Sequence, residues 1–174
     1  MASLKDIKRK VSAVQKTKQI TRAMNMVAAS KFKTAQLRMD NFRPYASKFM
    51  DVLNSLALRV ESISHPLLAV REPRRIRVIC MTSDRGLCGG FNTNIIKATE
   101  RFLRDKINEG KEVHLINVGR KGRDFFRKKA NMIGQYVDVL SRFDMTLAVS
   151  IANEVIMPFI KEEYDELYLI YNQF

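Results

Sequence analysis

The stretch Ser83-Asp84-Arg85-Gly86-Leu87-Cys88-Gly89-Gly90-Phe91-Asn92 is the part of this chain that most resembles a chemical site. Three glycines lie between an apolar run and a helical pattern, the place where backbone N–H groups can cradle a phosphate. The spacing matches neither standard template. It is not G-x-G-x-x-G, and no Lys-Ser or Lys-Thr follows the last glycine. Two other readings stand beside the nucleotide one. The first is a tight turn that needs positive φ. The second is a surface turn presenting Arg85 and Cys88 to a neighbouring protein.

Other reactive side chains are scattered. His65 precedes a proline and reads as a loop residue. His114 sits inside a strand pattern, with no nucleophile or carboxylate placed in sequence to use it. Glu162-Glu163 reads as a solvated helix end. Cys80 and Cys88 form neither a disulfide framework nor a metal-ligand spacing, so they read as free thiols of a reducing compartment. No metal site, no cofactor and no catalytic residue is expected, and the chain does not read as an enzyme.

The elements around these residues begin with a helix. No glycine occurs before Gly86, and only Pro44, Pro66 and Pro73 interrupt the preceding chain. Ser3 with Asp6 three residues on reads as a capped start. From there a heptad runs with a positions Leu4, Val11, Lys18, Asn25, Phe32, Met39, Ala46, Leu53 and Val60. The d positions are Ile7, Val14, Thr21, Ala28, Ala35, Phe42, Phe49, Leu56 and Ile63. A sustained 3.5-residue period predicts a left-handed coiled coil over residues 1–65. Such a helix would span roughly 90 Å at 1.5 Å per residue. Pro44 predicts a kink within it or a split.

Charge says something about the partner. Of the net +13 on the chain, ten units lie in residues 1–60, where thirteen Lys and Arg face only Asp6, Asp40 and Asp51. The flanking positions carry Lys8, Lys10, Arg22, Lys31, Arg38, Arg43 and Arg59, and no acid. Two copies side by side would repel, so the expected partner is a less basic helix or an acidic surface. No second long heptad follows in the chain. Lys18, Thr21 and Asn25 are the consecutive polar breaks in the seam. They either fix register or mark where the seam opens onto a different surface.

Downstream the pattern alternates. Strands are expected at Ile76–Met81, Val113–Val118 and Leu167–Tyr171, with a short extended run at Gln135–Leu140. Helices are expected from about Thr93 to Asn108, over Arg120–Ala130, and over Met145–Glu163 with an interruption at Pro158. This predicts a Rossmann-like α/β domain over residues 74–174, with a mostly parallel sheet and right-handed crossovers. Three clear strands, and an end three residues past the last, read as part of a longer protein. Hydrophobic content of 46% with 28% charged residues describes a folded soluble chain. No apolar run is long enough for a membrane span or a signal core. A basic helix could also read nucleic acid, but here the cations flank a continuous apolar seam and aromatic interleaving is poor, which argues against nucleic acid.

Two segments carry a specific resemblance. Gln19-Ile20-Thr21-Arg22-Ala23-Met24-Asn25-Met26-Val27-Ala28-Ala29-Ser30-Lys31 resembles the N-terminal signature of the gamma-subunit family of rotary F-type ATP synthases, and Ser83 to Asn92 is similar to that family's second signature. The resemblance implies a central-stalk rotor without catalysis of its own, its coiled coil inside a ring of alpha and beta subunits. It implies an α/β domain against the epsilon subunit and the membrane c-ring. It further implies peripheral attachment, through the complex, to the cytoplasmic face of a bacterial inner membrane. Carried onto this sequence, Lys18, Thr21, Arg22, Met24 and Asn25 fall where the shaft meets beta. Arg85 and Cys88 fall where the glycine turn approaches an acidic loop of beta. In that family a long C-terminal helix returns against the first.

Overall fold

A computed structural model describes residues 3–59, 65–139 and 144–173, and divides the chain into two units, Met1–Val60 and Glu61–Phe174. The first unit is one helix, α1 (Leu4–Arg59). Its start is capped as the sequence predicts: the Ser3 N–H donates to Asp6 Oδ2 at 3.3 Å, and the Asp6 and Ile7 N–H groups donate to the Ser3 carbonyl. The helix runs through Pro44 and is not split there. Thr17, Thr21 and Thr34 turn their hydroxyls back onto the carbonyls four residues earlier, which keeps these polar groups satisfied on the helix itself. Phe42, Tyr45 and Phe49 make a ladder of rings 5.7 and 6.1 Å apart. The heptad positions Val60 and Ile63 lie outside the described residues.

In the second unit a 3-10 turn at Pro66–Leu68 is capped by His65, whose Nδ1 accepts the Leu67 N–H. The elements that follow are β1 (Arg75–Met81), α2 (Phe91–Asn108), β2 (Glu112–Val118) and α3 (Arg120–Phe126). After them come β3 (Met132–Tyr136), α4 (Met145–Ile160) and β4 (Glu166–Ile170). Every described strand pairing is parallel, in the order β3-β2-β1-β4. Ile76, Val78 and Cys80 of β1 join Val113 and Leu115 of β2 in one core with Leu103 of α2 and Phe126 of α3. Ile79, Ile116 and Val118 face the other way, toward Val155 of α4 and Tyr164. The period-2 alternation of the strands thus divides two cores between two helical layers.

Several boundaries differ from the sequence reading: α3, expected to reach Ala130, ends at Phe126, and β4, expected over Leu167–Tyr171, is Glu166–Ile170. The extended run expected at Gln135–Leu140 is β3, which begins earlier, at Met132. It pairs from Leu115↔Met132 onward with an irregularity beside Ile116, and Leu140 is outside the described residues. Gly134 hid this strand; a Cβ there would stand 2.3 Å from Glu154 Oε1, so a larger residue would displace the end of that side chain. The Tyr136 hydroxyl donates to the same Glu154 carboxylate. Burial and that contact push the Tyr136 phenol up to about 12.

The helix expected to reach Glu163 ends at Ile160, and Pro158 lies inside it instead of interrupting it. A proline at 158 has no N–H to give the Glu154 carbonyl. Arg77 supplies the missing donor, with its guanidinium Nη1 at 3.0 Å from that oxygen. The helix then closes through Glu162 in the left-handed region at φ 59, with Glu163 N–H bonding the Pro158 carbonyl and Glu162 N–H the Phe159 carbonyl. This is a Schellman ending with glutamate where glycine is usual.

Candidate partner-contact surfaces

The heptad seam of α1 is open along its described length. Leu4 is 72% exposed, Val14 67%, Phe32 55% and Phe42 61%, although these residues repeat as a buried coiled-coil seam would. In proteins most helical stability comes from packing of an apolar face, and within the described residues this face is exposed.

Within α1, Val14, Thr17, Lys18, Thr21, Arg22 and Asn25 border one shallow depression on the helix. The spacing i, i+3, i+4, i+7, i+8, i+11 places them on one face. Four of the residues expected to meet a partner, Lys18, Thr21, Arg22 and Asn25, are therefore brought together. Met24 is 57% exposed but does not border that depression.

The glycine turn follows β1 at the carboxyl edge of the sheet. The chain steps from β1 to β2 to β3 on one side and returns to β4 on the other, so the turn stands beside the topological switch point. Its polar groups are directed at one another. Asn92 Oδ1 accepts the Ser83 N–H at 2.9 Å, and Asn92 Nδ2 donates to the Arg85 carbonyl at 3.2 Å and to Cys88 Sγ at 3.1 Å. The Ser83 hydroxyl also donates to the Arg85 carbonyl, at 2.6 Å. Asn92, buried at the start of α2, thus fills the concave side of the turn with a side chain.

What the turn offers outward is different. Arg85 and Cys88 are both exposed, as expected, although the Cys88 sulfur is held by Asn92. Leu87, at the apex, is 99% exposed with φ 62. Sequence reasoning passed over it; an apolar residue among three glycines was the available signal. Asp84 fixes the base of the turn, since its Oδ1 accepts the N–H groups of Arg120 and Asp138, each at 2.9 Å. One carboxylate oxygen thereby ties together the loops that follow β1, β2 and β3.

The other two groups noted in the sequence each have a partner side chain. The Cys80 thiol is buried against the Thr99 hydroxyl; burial pushes it up, and the hydrogen bond opposes that shift. His114 lies 3.3 Å from the Glu112 carboxylate. Among the described residues no three His, Cys, Asp or Glu side chains converge as a metal site would need, and no helix is long and apolar enough to cross a membrane.

An exposed heptad helix followed by a parallel α/β unit with a self-closed glycine turn defines the class: a helical arm and a four-stranded α/β unit. The family model described as ATP synthase matches residues 3–174, and the chain belongs to that family. It is 68% identical over 174 residues to an ATP synthase gamma chain of Syntrophus aciditrophicus, and 45% identical over 174 residues to that of Geobacter metallireducens. All of this chain aligns in both cases, against 60% and 61% of those proteins. The chain therefore spans about three-fifths of the length of these curated relatives. A cryo-EM structure of the Tetrahymena thermophila mitochondrial ATP synthase, central stalk and c-ring, contains a chain of similar fold. The two agree with a TM-score of 0.67 at 29% identity, over 89% of this chain and 66% of that one.

Proposed function

We propose that this chain is the N-terminal portion of the central-stalk rotor subunit of a bacterial F-type ATP synthase, coupling proton-driven rotation to ATP synthesis and hydrolysis without catalysing either. The observation that carries this reading is the open apolar seam of α1 in a chain whose relatives are gamma chains. In this reading α1 stands inside the ring of alpha and beta subunits, paired with a returning helix of the same subunit. Lys18, Thr21, Arg22, Met24 and Asn25 meet beta, and Arg85 and Cys88, now joined by Leu87, reach an acidic loop of the same subunit. The α/β unit occupies residues 74–174 and faces the epsilon subunit and the c-ring. Membrane association is peripheral, at the cytoplasmic face of the inner membrane, and nucleic acid is not a partner.

The cationic flanks of α1 suit an acidic ring lining, but each exposed ion pair contributes only about 0–1 kcal/mol. Packing and torsional stiffness must transmit the torque. The test is reconstitution of the full-length subunit with alpha and beta subunits. Assembly into an active ATPase with rotation coupled to proton movement is the expected result. A folded subunit that neither joins the ring nor supports its activity would overturn the proposal.

A further inference from the structure

The end of α4 is held by side chains that reach it from outside the helix. A proline ring clashes with the carbonyl four residues earlier and leaves that oxygen without its helical N–H. Here the oxygen belongs to Glu154, and Arg77 Nη1 reaches it at 3.0 Å from β1. The next carbonyl, that of Val155, accepts the Tyr164 hydroxyl at 2.7 Å. The Arg77 guanidinium carbon lies 4.6 Å from the centre of the Tyr164 ring, so the two donors also pack on each other. Arg71 adds to the grip. It donates to the carbonyls of Phe159 at 2.9 Å and Tyr164 at 3.3 Å, and stacks on the Phe159 ring.

Pro158 divides the helix into parts that are fastened differently. Before it, Val155 is buried in the core with Ile79 and Ile116, and the Glu154 carboxylate takes the Tyr136 hydroxyl of β3. Beyond it, Ile160, Lys161 and Glu162 are exposed, Phe159 is half-buried, and the arginines do most of the fastening. The orientation of Arg77 follows the gap that Pro158 leaves. Its side chain is only 12% exposed, and its Nε is buried with no hydrogen-bond partner among the described residues. Buried donors are rarely left unpaired. The guanidinium is nevertheless turned so that Nη1 meets the Glu154 carbonyl, with Nη2 at 3.5 Å from the Glu163 carboxylate.

We propose that Arg77 is the latch of a hinge at Pro158. With its guanidinium on the Glu154 carbonyl, residues 157–163 stay docked on β1. Without it, that turn opens as a local unit while the sheet stays folded. Arg77 is a positioning residue, acting through the one backbone oxygen that proline leaves free. The latch belongs to the α/β unit itself and does not rest on the stalk reading.

Hydrogen exchange on the full chain tests this. In wild type the Lys161 and Glu163 N–H groups bond the Met157 and Pro158 carbonyls, and the Leu115 N–H bonds the Asn131 carbonyl. Arg77→Gln should speed exchange at Lys161 and Glu163 by about tenfold or more, and at Leu115 by less than about threefold. Pro158→Ala decides the mechanism, because it restores an N–H for the Glu154 carbonyl. In that background Arg77→Gln should speed exchange at Lys161 by less than about threefold. If Arg77→Gln does not fold, Arg77→Lys, which keeps the charge without the planar fork, carries the same comparison. Equal acceleration at Lys161 and Leu115, or none at either, would overturn the hinge. A full effect in the Pro158→Ala background would overturn the latch, since Arg77 would then act through packing alone.

Discussion

Asn92 closes the glycine turn onto Ser83, with its Oδ1 accepting the Ser83 N–H at 2.9 Å while its Nδ2 donates to the Ser83 hydroxyl at 2.8 Å. The residue that opens α2 thus holds the loop leading into it, and the outward side of that loop is free to carry Arg85, Leu87 and Cys88.

Replacing Asn92 by Ala should cost about 1–3 kcal/mol, because the Ser83 N–H and the Arg85 carbonyl lose buried partners. Asn92→Asp keeps the acceptor and loses the donors, so it should fall between wild type and Ala. Thermal melts give the order, and hydrogen exchange should show lost protection in residues 83–90. A neutral Asn92→Ala variant would mean that the turn is held by something else.

Two glycines with positive φ should respond very differently to Ala. A Cβ on Gly119, at φ 98, would stand 2.1 Å from the Thr82 carbonyl oxygen, so backbone must move. On Gly89, at φ 56, it would meet open space. Gly119→Ala should cost about 3 kcal/mol or more and Gly89→Ala about 1 kcal/mol, measured by denaturant unfolding.

Asp165 should make the α/β unit acid-sensitive. Burial raises its pKa, but the Arg75 and Arg74 N–H groups and the Arg75 charge outweigh that, and the net shift is downward. A carboxyl lowered in the folded state contributes stability that is full above its unfolded pKa and lost as pH falls through its folded one. Stability should therefore decline below about pH 4, and an Asp165→Asn variant should show a smaller decline over the same window. Urea midpoints across pH 2–6 give the comparison.

Arg22→Glu should leave the melting of the chain within about 0.5 kcal/mol of wild type, since the side chain is exposed. In the reconstitution that tests the proposed function, it should weaken association with the ring by about fivefold or more, as a loss of about 1 kcal/mol predicts. An unchanged affinity would move the contact surface away from the depression lined by Lys18 and Asn25.

Periodicity made α1 legible, because a helix without glycine and with an unbroken heptad has no competing local structure. The same signal read the strands containing Ile76 and Val113, where apolar runs are continuous. It misplaced the start of β3, since Met132 and Ile133 are followed at once by Gly134, which breaks the apolar β-rich run. Pro158 misled for a different reason: the donor that lets α4 continue is Arg77, on a strand 81 residues earlier. At the candidate surface, the charge and polarity of Lys18, Thr21 and Asn25 were visible in one dimension. The exposure of Leu87 was not, because it depends on a left-handed backbone angle and on Asn92 occupying the inner side of the turn.

The pairing of β1 with β4 also sets a timetable for synthesis. Ile76 leaves the ribosome about ninety residues before its partner Glu166, which at ordinary elongation rates is a delay of roughly 5–20 s. Throughout that interval one side of the central strand β1 has no neighbour, and the backbone N–H groups of Arg74 and Arg75 await a carboxylate that does not yet exist. The nascent α/β unit can pair β1, β2 and β3 with α2 and α3 in place, but β1 stands as an edge strand until β4 arrives. In this window the apolar strand β1 must be kept from pairing with other chains, and the window ends when residues 165–170 have emerged and β4 takes over the edge.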